Sequence, residues 1–205
     1  MRKPASAEYP ILDVIGERWS PKAFDASPVA AEQLHSLFEA ARWAASCFNE
    51  QPWAFLVARR EDGAAFERAL SCLVEKNRAW ARSASALIFA CARREFARNA
   101  RPNPHAAHDL GQAAAHLALQ AVALGLAVHQ MAGFSADAAR DAFGIPEGWD
   151  ALTAIAVGRP LRAEDLDEEQ RRSESVPRTR KPQSEFVFES GWGGARNPGP
   201  EPPRA

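Results

Sequence analysis

The sequence lacks an apolar run long enough to span a membrane, a paired-cysteine motif and a glycine-rich dinucleotide fingerprint. Its cysteines, Cys47, Cys72 and Cys91, stand far apart, which excludes a CxxC zinc or redox site and fits a reducing compartment. The 25 basic and 26 acidic residues nearly balance, so composition gives no reason to expect nucleic acid or an anionic membrane as a partner. No apolar segment follows Arg2 and Lys3, so we expect a cytoplasmic location rather than secretion.

The 205 residues suffice for one substantial core and are somewhat few for two, so we expect a single domain over residues 1–190. Residues 191–205 are rich in proline and glycine, and we expect a flexible tail there. Helical periodicity predicts an amphipathic helix over residues 28–44 with Ser27 as its N-cap. Short apolar runs predict buried strands at residues 53–58, 86–92 and 152–157. Strands interleaved with helices indicate an α/β or α+β layered sheet.

A second helix is predicted over residues 109–126, with Asp109 near its start. It is apolar around most of its circumference, and its polar residues Gln112, His116 and Gln120 recur every four positions on one narrow stripe. Such a helix is buried on most sides. Such burial occurs either in the centre of a large domain or against another subunit, and for a chain of 205 residues we expect burial at a subunit interface.

Three further features of the sequence carry no predicted chemistry. The charge run at residues 164–174 is typical of a solvated connection. His105 and His108 have a ligand-like spacing, but the sequence supplies too few further ligands, so we expect no metal site. Cys47 has no dedicated base beside it, and we assign no catalytic residue.

Two basic clusters about 160 residues apart are the most informative feature present. The first is Arg18-x-Ser20-x-Lys22-x-Phe24 and the second is Arg178-x-Arg180. Guanidinium, ammonium and hydroxyl donors suit a phosphate dianion, so the clusters predict one anion site built from both ends of the chain. The alternative is two solvated charged turns.

Three segments between these clusters do not have the pattern of ordinary core. A polar loop at residues 46–53 separates an apolar helix from a strand, Asn77 lies on a short helical segment, and the Ala132-Gly133 pair follows a short apolar stretch. Small residues would let backbone N–H groups approach a flat ligand. Taken singly, the loop at residues 46–53 also fits a loop cap, Asn77 fits a helix-terminal amide, and the Ala132-Gly133 pair fits a plain turn.

In their order and spacing these segments resemble the FMN-dependent nitroreductase family over about residues 10–190. The matching motifs are Arg18-x-Ser20-x-Lys22-x-Phe24, Ala44-Ala45-Ser46-Cys47-x-Asn49-x-Gln51-Pro52-Trp53, Asn77, His129-Gln130-Met131-Ala132-Gly133-Phe134 and Arg178-x-Arg180. The chain departs from the family where Ala45-Ser46-Cys47 replaces Pro-Ser-Ser, and where Trp80 replaces a lysine of some members. The resemblance implies an α+β fold, an α/β/α layered sandwich with a central mixed sheet flanked by helices. It also implies an intertwined homodimer in which residues 161–190 cross to the partner.

The resemblance further implies which residues hold FMN. Contacts to the phosphate and ribityl chain are expected from Arg18, Ser20, Lys22, Arg178 and Arg180. Contacts to the flavin ring are expected from Asn77 and from the backbone of Met131, Ala132 and Gly133. Contacts from the partner subunit are expected from Ser46, Cys47 and Asn49. Trp19 and Gln130 complete the expected set. The homodimer would hold two FMN sites at its interface.

The activity implied is that of an FMN-dependent NAD(P)H oxidoreductase. Hydride would pass from NADH or NADPH through FMN N5 to a small electrophile, such as a nitroaromatic or quinone, with ping-pong kinetics. Two alternatives stay open: another flavin-dependent reaction on the same fold, such as dehalogenation or desaturation, and a non-catalytic flavin-binding or sensing protein.

Overall fold

The computed structural model describes residues 3–194, so most of the predicted tail lies outside the described residues. The helices and strands are α1 (Asp13–Glu17), β1 (Phe24–Asp25), α2 (Ala31–Arg42), β2 (Trp53–Arg59), α3 (Gly63–Ser71), α4 (Glu75–Ala81), β3 (Ala86–Arg93), α5 (Ala106–Ala123), β4 (Ala127–Met131), α6 (Ala136–Phe143), β5 (Trp149–Pro160) and α7 (Glu168–Ser175). Short 3-10 helices form at Cys47–Asn49, Ala163–Asp165 and Gln183–Glu185. Among these residues no helix combines the length and apolarity needed to cross a membrane.

The sheet is organised around β5, which pairs with β1, β3 and β4, while β3 also pairs with β2. Every one of these pairings is antiparallel. The expectation of a mixed sheet is therefore wrong for the described residues. A parallel neighbour would need another strand. The segment from Glu185 to Phe188 has strand character in the sequence, but Glu185 ends a 3-10 helix, and the segment pairs with no strand among residues 3–194.

Strand β3 shows why the chain forms two layers around the sheet. Its residues are buried on both faces, as the continuous apolar run predicts. Leu87 and Phe89 belong to the core that includes α3, whereas Ile88 and Ala90 belong to the core that includes α2 and α5. This alternation follows from the two-residue period of a strand. The predicted α+β layered class is confirmed.

Helix α2 begins later than the sequence suggested. Its N-cap is Ala30, without a side-chain cap, so the assignment of Ser27 as N-cap is wrong. Two hydrogen bonds hold Ser27 outside the helix: its N–H donates to the Asp25 carboxylate at 3.0 Å, and its carbonyl accepts from the Ser85 hydroxyl at 2.8 Å. A local turn bond to Asp25 and a long-range bond from Ser85 have together replaced the helix cap.

Helix α5 uses its polar stripe within the chain. Gln120 donates to the Ser36 hydroxyl at 2.9 Å, and the His116 ring lies 3.3 Å from the Ala40 carbonyl, so the stripe faces α2. The apolar positions pack on the sheet and on α2. Much of the expected burial is thus supplied by the chain itself. A subunit contact on the remaining exposed face, which includes Gly111 and Ala115, stays a prediction.

Candidate functional site

The two basic segments meet in the folded chain. Arg18, Arg178 and Arg180, called here the arginine cluster, line one cleft of about 540 Å³ together with residues of the N-terminal segment. Nη1 of Arg18 lies 3.3 Å from the Ser20 hydroxyl. Within residues 3–194 none of the three arginines forms an ion pair. The first and last parts of the sequence therefore share one surface.

Electrostatics favour an anion in this cleft. Burial lowers the pKa of Arg18 from its usual value, and the charges of Arg178 and Arg180 lower it further. Burial and the charge of Arg180 likewise lower the pKa of Arg178. Because each shift reports a cation that is partly desolvated and repelled by its neighbours, a phosphate bound here would relieve an existing cost.

Residues 16–22 are anchored from the C-terminal side. Nη1 of Arg178 donates to the Gly16 carbonyl at 2.7 Å and to the Lys3 carbonyl at 2.6 Å. The Glu174 carboxylate accepts the Lys22 backbone N–H at 2.7 Å and the Trp19 indole N–H at 3.4 Å. Trp19 thus donates its indole N–H to the protein, and Lys22 keeps its exposed ammonium group available.

Glu174 corrects one expectation. It lies at the end of the charge run that the sequence assigned to a solvated connection, yet it is only 6% exposed. The other residues of α7 are not buried, so the expectation holds for that part of the run. No local signal distinguishes Glu174 from its acidic neighbours, because its partners lie more than 150 positions away in the chain.

His129 joins β4 to the same basic segment. Its Nδ1 lies 2.9 Å from the Pro21 carbonyl, and its ring centroid lies 4.5 Å from that of Trp80. Burial lowers the pKa of His129, while the Pro21 carbonyl and the Glu174 charge oppose that effect and the Lys22 charge adds to it. His129 begins the sequence motif of residues 129–134, but nothing in that motif predicts its contact with the Pro21 carbonyl.

At the far end of β4, Asn77 and Gly133 form a tight pair. Nδ2 of Asn77 donates to the Gly133 carbonyl at 3.0 Å, and that carbonyl also accepts the Val74 N–H at 3.1 Å. A Cβ on residue 133 would lie 2.5 Å from Asn77 Nδ2 and 2.9 Å from Val74 Cγ2. Glycine is therefore required for this approach. Nearby, Met131 is buried, while Gln130 and Ala132 are exposed.

The loop of residues 46–51 is held by a separate set of contacts. Its Cys47 N–H donates to the buried Asp109 carboxylate of α5 at 2.9 Å. The Glu50 carboxylate accepts the Ala97 N–H at 2.6 Å and lies 3.6 Å from the Arg98 guanidinium. The hydrogen bonds of residues 3–194 join this loop to α5 and to the segment after β3, and to neither the arginine cluster nor Asn77.

The backbone of the 46–51 loop is unusual. Phe48, Asn49 and Gln51 have φ values of 54°, 57° and 49°, in the left-handed region that non-glycine residues seldom adopt. The Arg98 guanidinium lies 3.7 Å from the centroid of the Phe48 ring, which is otherwise exposed. Strained backbone of this kind persists only where the surroundings hold it, and it is often found at functional sites.

Comparison with known proteins decides the family. The model of the family described as "Nitroreductase family" matches residues 15–159. The chain belongs to the nitroreductase family. The matched stretch contains every expected site residue except Arg178 and Arg180.

This nitroreductase-family chain resembles solved structures over nearly its whole length. It is 33% identical to an oxidoreductase containing FMN, with a TM-score of 0.84 and coverage of 93% of this chain and 96% of the other. A Desulfovibrio desulfuricans protein, assigned as a nitroreductase and solved in complex with FMN, is 25% identical with a TM-score of 0.69, covering 91% and 99% of the two chains. An uncharacterized 15.4 kDa protein of Mycolicibacterium smegmatis is 35% identical over 124 residues, or 60% of this chain and 82% of that protein.

Proposed function

We propose that this chain is an FMN-dependent NAD(P)H oxidoreductase that reduces small electrophiles such as nitroaromatics or quinones. The observation that carries the proposal is the arginine cluster, which has no ion-pair partner among residues 3–194. Strand β4 connects this region to the Asn77–Gly133 pair, since His129 contacts the Pro21 carbonyl and Gly133 follows the strand. The chain also belongs to the nitroreductase family. The FMN named for two of the solved relatives supports the same cofactor.

The residues present fit the two ends of this cofactor. The phosphate end needs hydrogen-bond donors and positive charge. These are supplied by the guanidinium groups of Arg18, Arg178 and Arg180, the Ser20 hydroxyl and the Lys22 ammonium. Asn77 donates through Nδ2 to Gly133, and its Oδ1 accepts no hydrogen bond among the described residues. That oxygen matches a ring N–H donor, which suits the pyrimidine edge of the flavin.

When bound, FMN supplies the hydride chemistry, which carries reducing equivalents from NADH or NADPH to the electrophile. The protein's own contribution is to hold and orient. The guanidinium groups fix the anionic end, Asn77 and the backbone of Met131, Ala132 and Gly133 face the ring, and positive charge in the cleft favours the more anionic state of a bound group. No side chain is required as a nucleophile or metal ligand.

We further propose that the site is completed by the 46–51 loop of a second copy. Ser46, Cys47 and Asn49 lie in a loop whose hydrogen bonds, among residues 3–194, go to α5 and to the segment after β3 and not to the other expected site residues. A homodimer would bring the loop of each copy to the cleft of the other and create two equivalent sites. Residues 174–180 contact residues 3–22 of their own chain here, and the crossing of residues 161–190 to the partner stays a prediction.

Purification without added flavin tests the function. We expect yellow protein whose flavin absorbance is bleached by NADH or NADPH under anaerobic conditions and restored by a nitroaromatic or a quinone. Yellow protein that neither nicotinamide reduces would support the alternative of a flavin-binding protein without turnover. Reduction without reoxidation by either acceptor class would favour another flavin-dependent reaction. Colourless protein that takes up no FMN would contradict all of these.

A further inference from the structure

Glu174 is the one buried residue of an otherwise solvent-facing helix. It is 6% exposed, and the rest of α7 lies at the surface. Burying a carboxylate is costly unless hydrogen bonds compensate it. The compensation here comes from the Lys22 N–H at 2.7 Å and the Trp19 indole N–H at 3.4 Å. Both donors belong to the segment that carries Arg18 and Ser20.

Arg178 holds the same segment by the opposite chemistry. It donates to the Gly16 and Lys3 carbonyls at 2.7 and 2.6 Å, whereas Glu174 accepts from N–H groups. Together Glu174 and Arg178 form a clamp, which grips residues 16–22 at a carbonyl on one side and at N–H groups on the other. Arg180 is two positions further along the chain, so the clamp also brings the second basic segment to the first.

The sign of the charge shows how Glu174 contributes. A carboxylate close to a phosphate site repels the ligand, so Glu174 cannot favour an anion by its own field. It forms no ion pair with any arginine of the cluster among residues 3–194, and its oxygens face backbone and indole donors. Any favourable effect on anion binding must therefore pass through the segment that it holds.

We propose that Glu174 is a positioning residue for the phosphate of the bound flavin nucleotide. It fixes the Lys22 N–H and the Trp19 ring, and thereby aims Arg18 and Ser20 at the phosphate without touching it. This inference rests on the proposed FMN function. It adds a residue outside the basic motifs, at a position with no sequence signal of its own.

Binding of FMN compared with riboflavin tests this inference, because riboflavin has the same ring but no phosphate. Full-length chain stripped of flavin is titrated with each compound, and flavin fluorescence reports the dissociation constant. Glu174→Asp keeps the charge but withdraws the oxygens, and we expect it to weaken FMN binding about tenfold while riboflavin binding stays unchanged. Glu174→Gln keeps one acceptor oxygen for the Lys22 N–H, but it loses the charge and turns an amide NH2 towards the Trp19 indole N–H. Because the shorter of the two hydrogen bonds is kept, we expect it to weaken FMN binding by only about threefold, less than Glu174→Asp does.

Glu169→Asp is the matched control, since Glu169 is an exposed residue of the same helix. It should leave both affinities unchanged. Equal weakening of FMN and riboflavin by Glu174→Asp would overturn the inference, because it would show a general structural role. A Glu174→Gln variant that weakens FMN as much as Glu174→Asp would also overturn it, because the hydrogen bond accepted from the Lys22 N–H would not then be what matters. An unmodified chain that binds neither flavin would instead contradict the proposed function itself.

Discussion

In the arginine cluster, like charges from both ends of the chain lie close enough that Arg178 and Arg180 lower the pKa of Arg18. In the 46–51 loop, by contrast, the carboxylates of Asp109 and Glu50 accept backbone N–H groups of the loop and its neighbourhood. The first region has donors and charge in excess. The second is satisfied internally and has its strain in the backbone at Phe48, Asn49 and Gln51.

This difference separates two kinds of preorganisation. The cluster has the charge distribution that suits an anionic ligand, because a bound anion would remove the repulsion between its arginines. The loop has its backbone fixed by contacts within the chain, while the Phe48 ring and the Asn49 side chain stay exposed at its surface. Changes in the cluster should therefore alter ligand affinity, and changes beneath the loop should alter stability.

The largest expected effect is on flavin affinity in the cluster. Arg18→Ala and Arg180→Ala should each weaken FMN binding about ten- to hundredfold, since each removes a charge-assisted hydrogen bond to phosphate. The free energy of unfolding of the flavin-free chain should fall little, because Arg18 is destabilised by its neighbours. Fluorescence titration and urea unfolding measure the two effects. Arg172→Ala, an exposed change on α7, is the control. Unchanged FMN affinity in both cluster variants would support the alternative, that the two basic segments are solvated charged turns.

The next effect concerns stability beneath the loop. Asp109→Ala should lower the free energy of unfolding of the flavin-free chain by about 1.5 kcal/mol, because the Cys47 N–H loses a charged acceptor. Asp137→Ala is a matched control, since Asp137 also lies in the first turn of a helix but is exposed. Urea unfolding gives both values. If the two variants lose the same stability, the loop is not held by Asp109.

The smallest effect is the pH dependence contributed by His129. Because burial lowers its pKa, the unfolded chain binds this proton more readily than the folded chain. The stabilisation is therefore complete above about pH 6.5 and is lost as the pH falls through the lower folded value. One such group changes the free energy of unfolding by at most about 1.4 kcal/mol per pH unit. Lys22 and Glu174 face the ring and act in opposite directions.

Unfolding in urea at about pH 7.5 and about pH 5.5 measures this contribution. His129→Gln cannot titrate, so the variant should lose less stability between the two conditions than the unmodified chain. His35→Gln, an exposed change on α2, should lose as much as the unmodified chain. A His129→Gln profile that parallels the unmodified one would show that the folded chain does not disfavour the protonated ring.

Much of the fold could be predicted from sequence where the signal is local. The apolar runs gave β2 and β3 to within one residue at each end, and α4 lies where Asn77 was expected on a short helix. The prediction omitted α3 and α6, although their N-caps were visible: Asp62 accepts the Ala65 N–H and Ser135 accepts the Ala138 N–H. Both helices are short, with nine and eight residues, and most of their apolar side chains are alanine, which gives a weak periodic signal.

The site was less accessible to such reasoning. Like chemistry in the two basic segments predicted that they share an anion site, and Arg18 of the first segment does line one cleft with Arg178 and Arg180 of the second. Two contacts bring the segments together: Arg178 donates to the Gly16 carbonyl, and Glu174 accepts the Lys22 N–H. Both use backbone groups, which almost every residue has, so no residue type in the sequence predicts them. Ser27 illustrates the converse, because a favourable local cap is replaced by a turn bond to Asp25 and a long-range bond from Ser85.

Subunit mixing tests most directly the claim that cluster and loop of different copies form one site. One variant carries Arg18→Ala and the other carries Ser46→Ala with Asn49→Gly, a change that removes the amide without straining the positive φ. Each variant alone should bind FMN poorly. After subunit exchange, heterodimers should contain one intact site of two, so the mixture should recover roughly a quarter of the sites with the affinity of the unmodified chain. A mixture that gains no such sites, although exchange is shown by mass, would contradict the account.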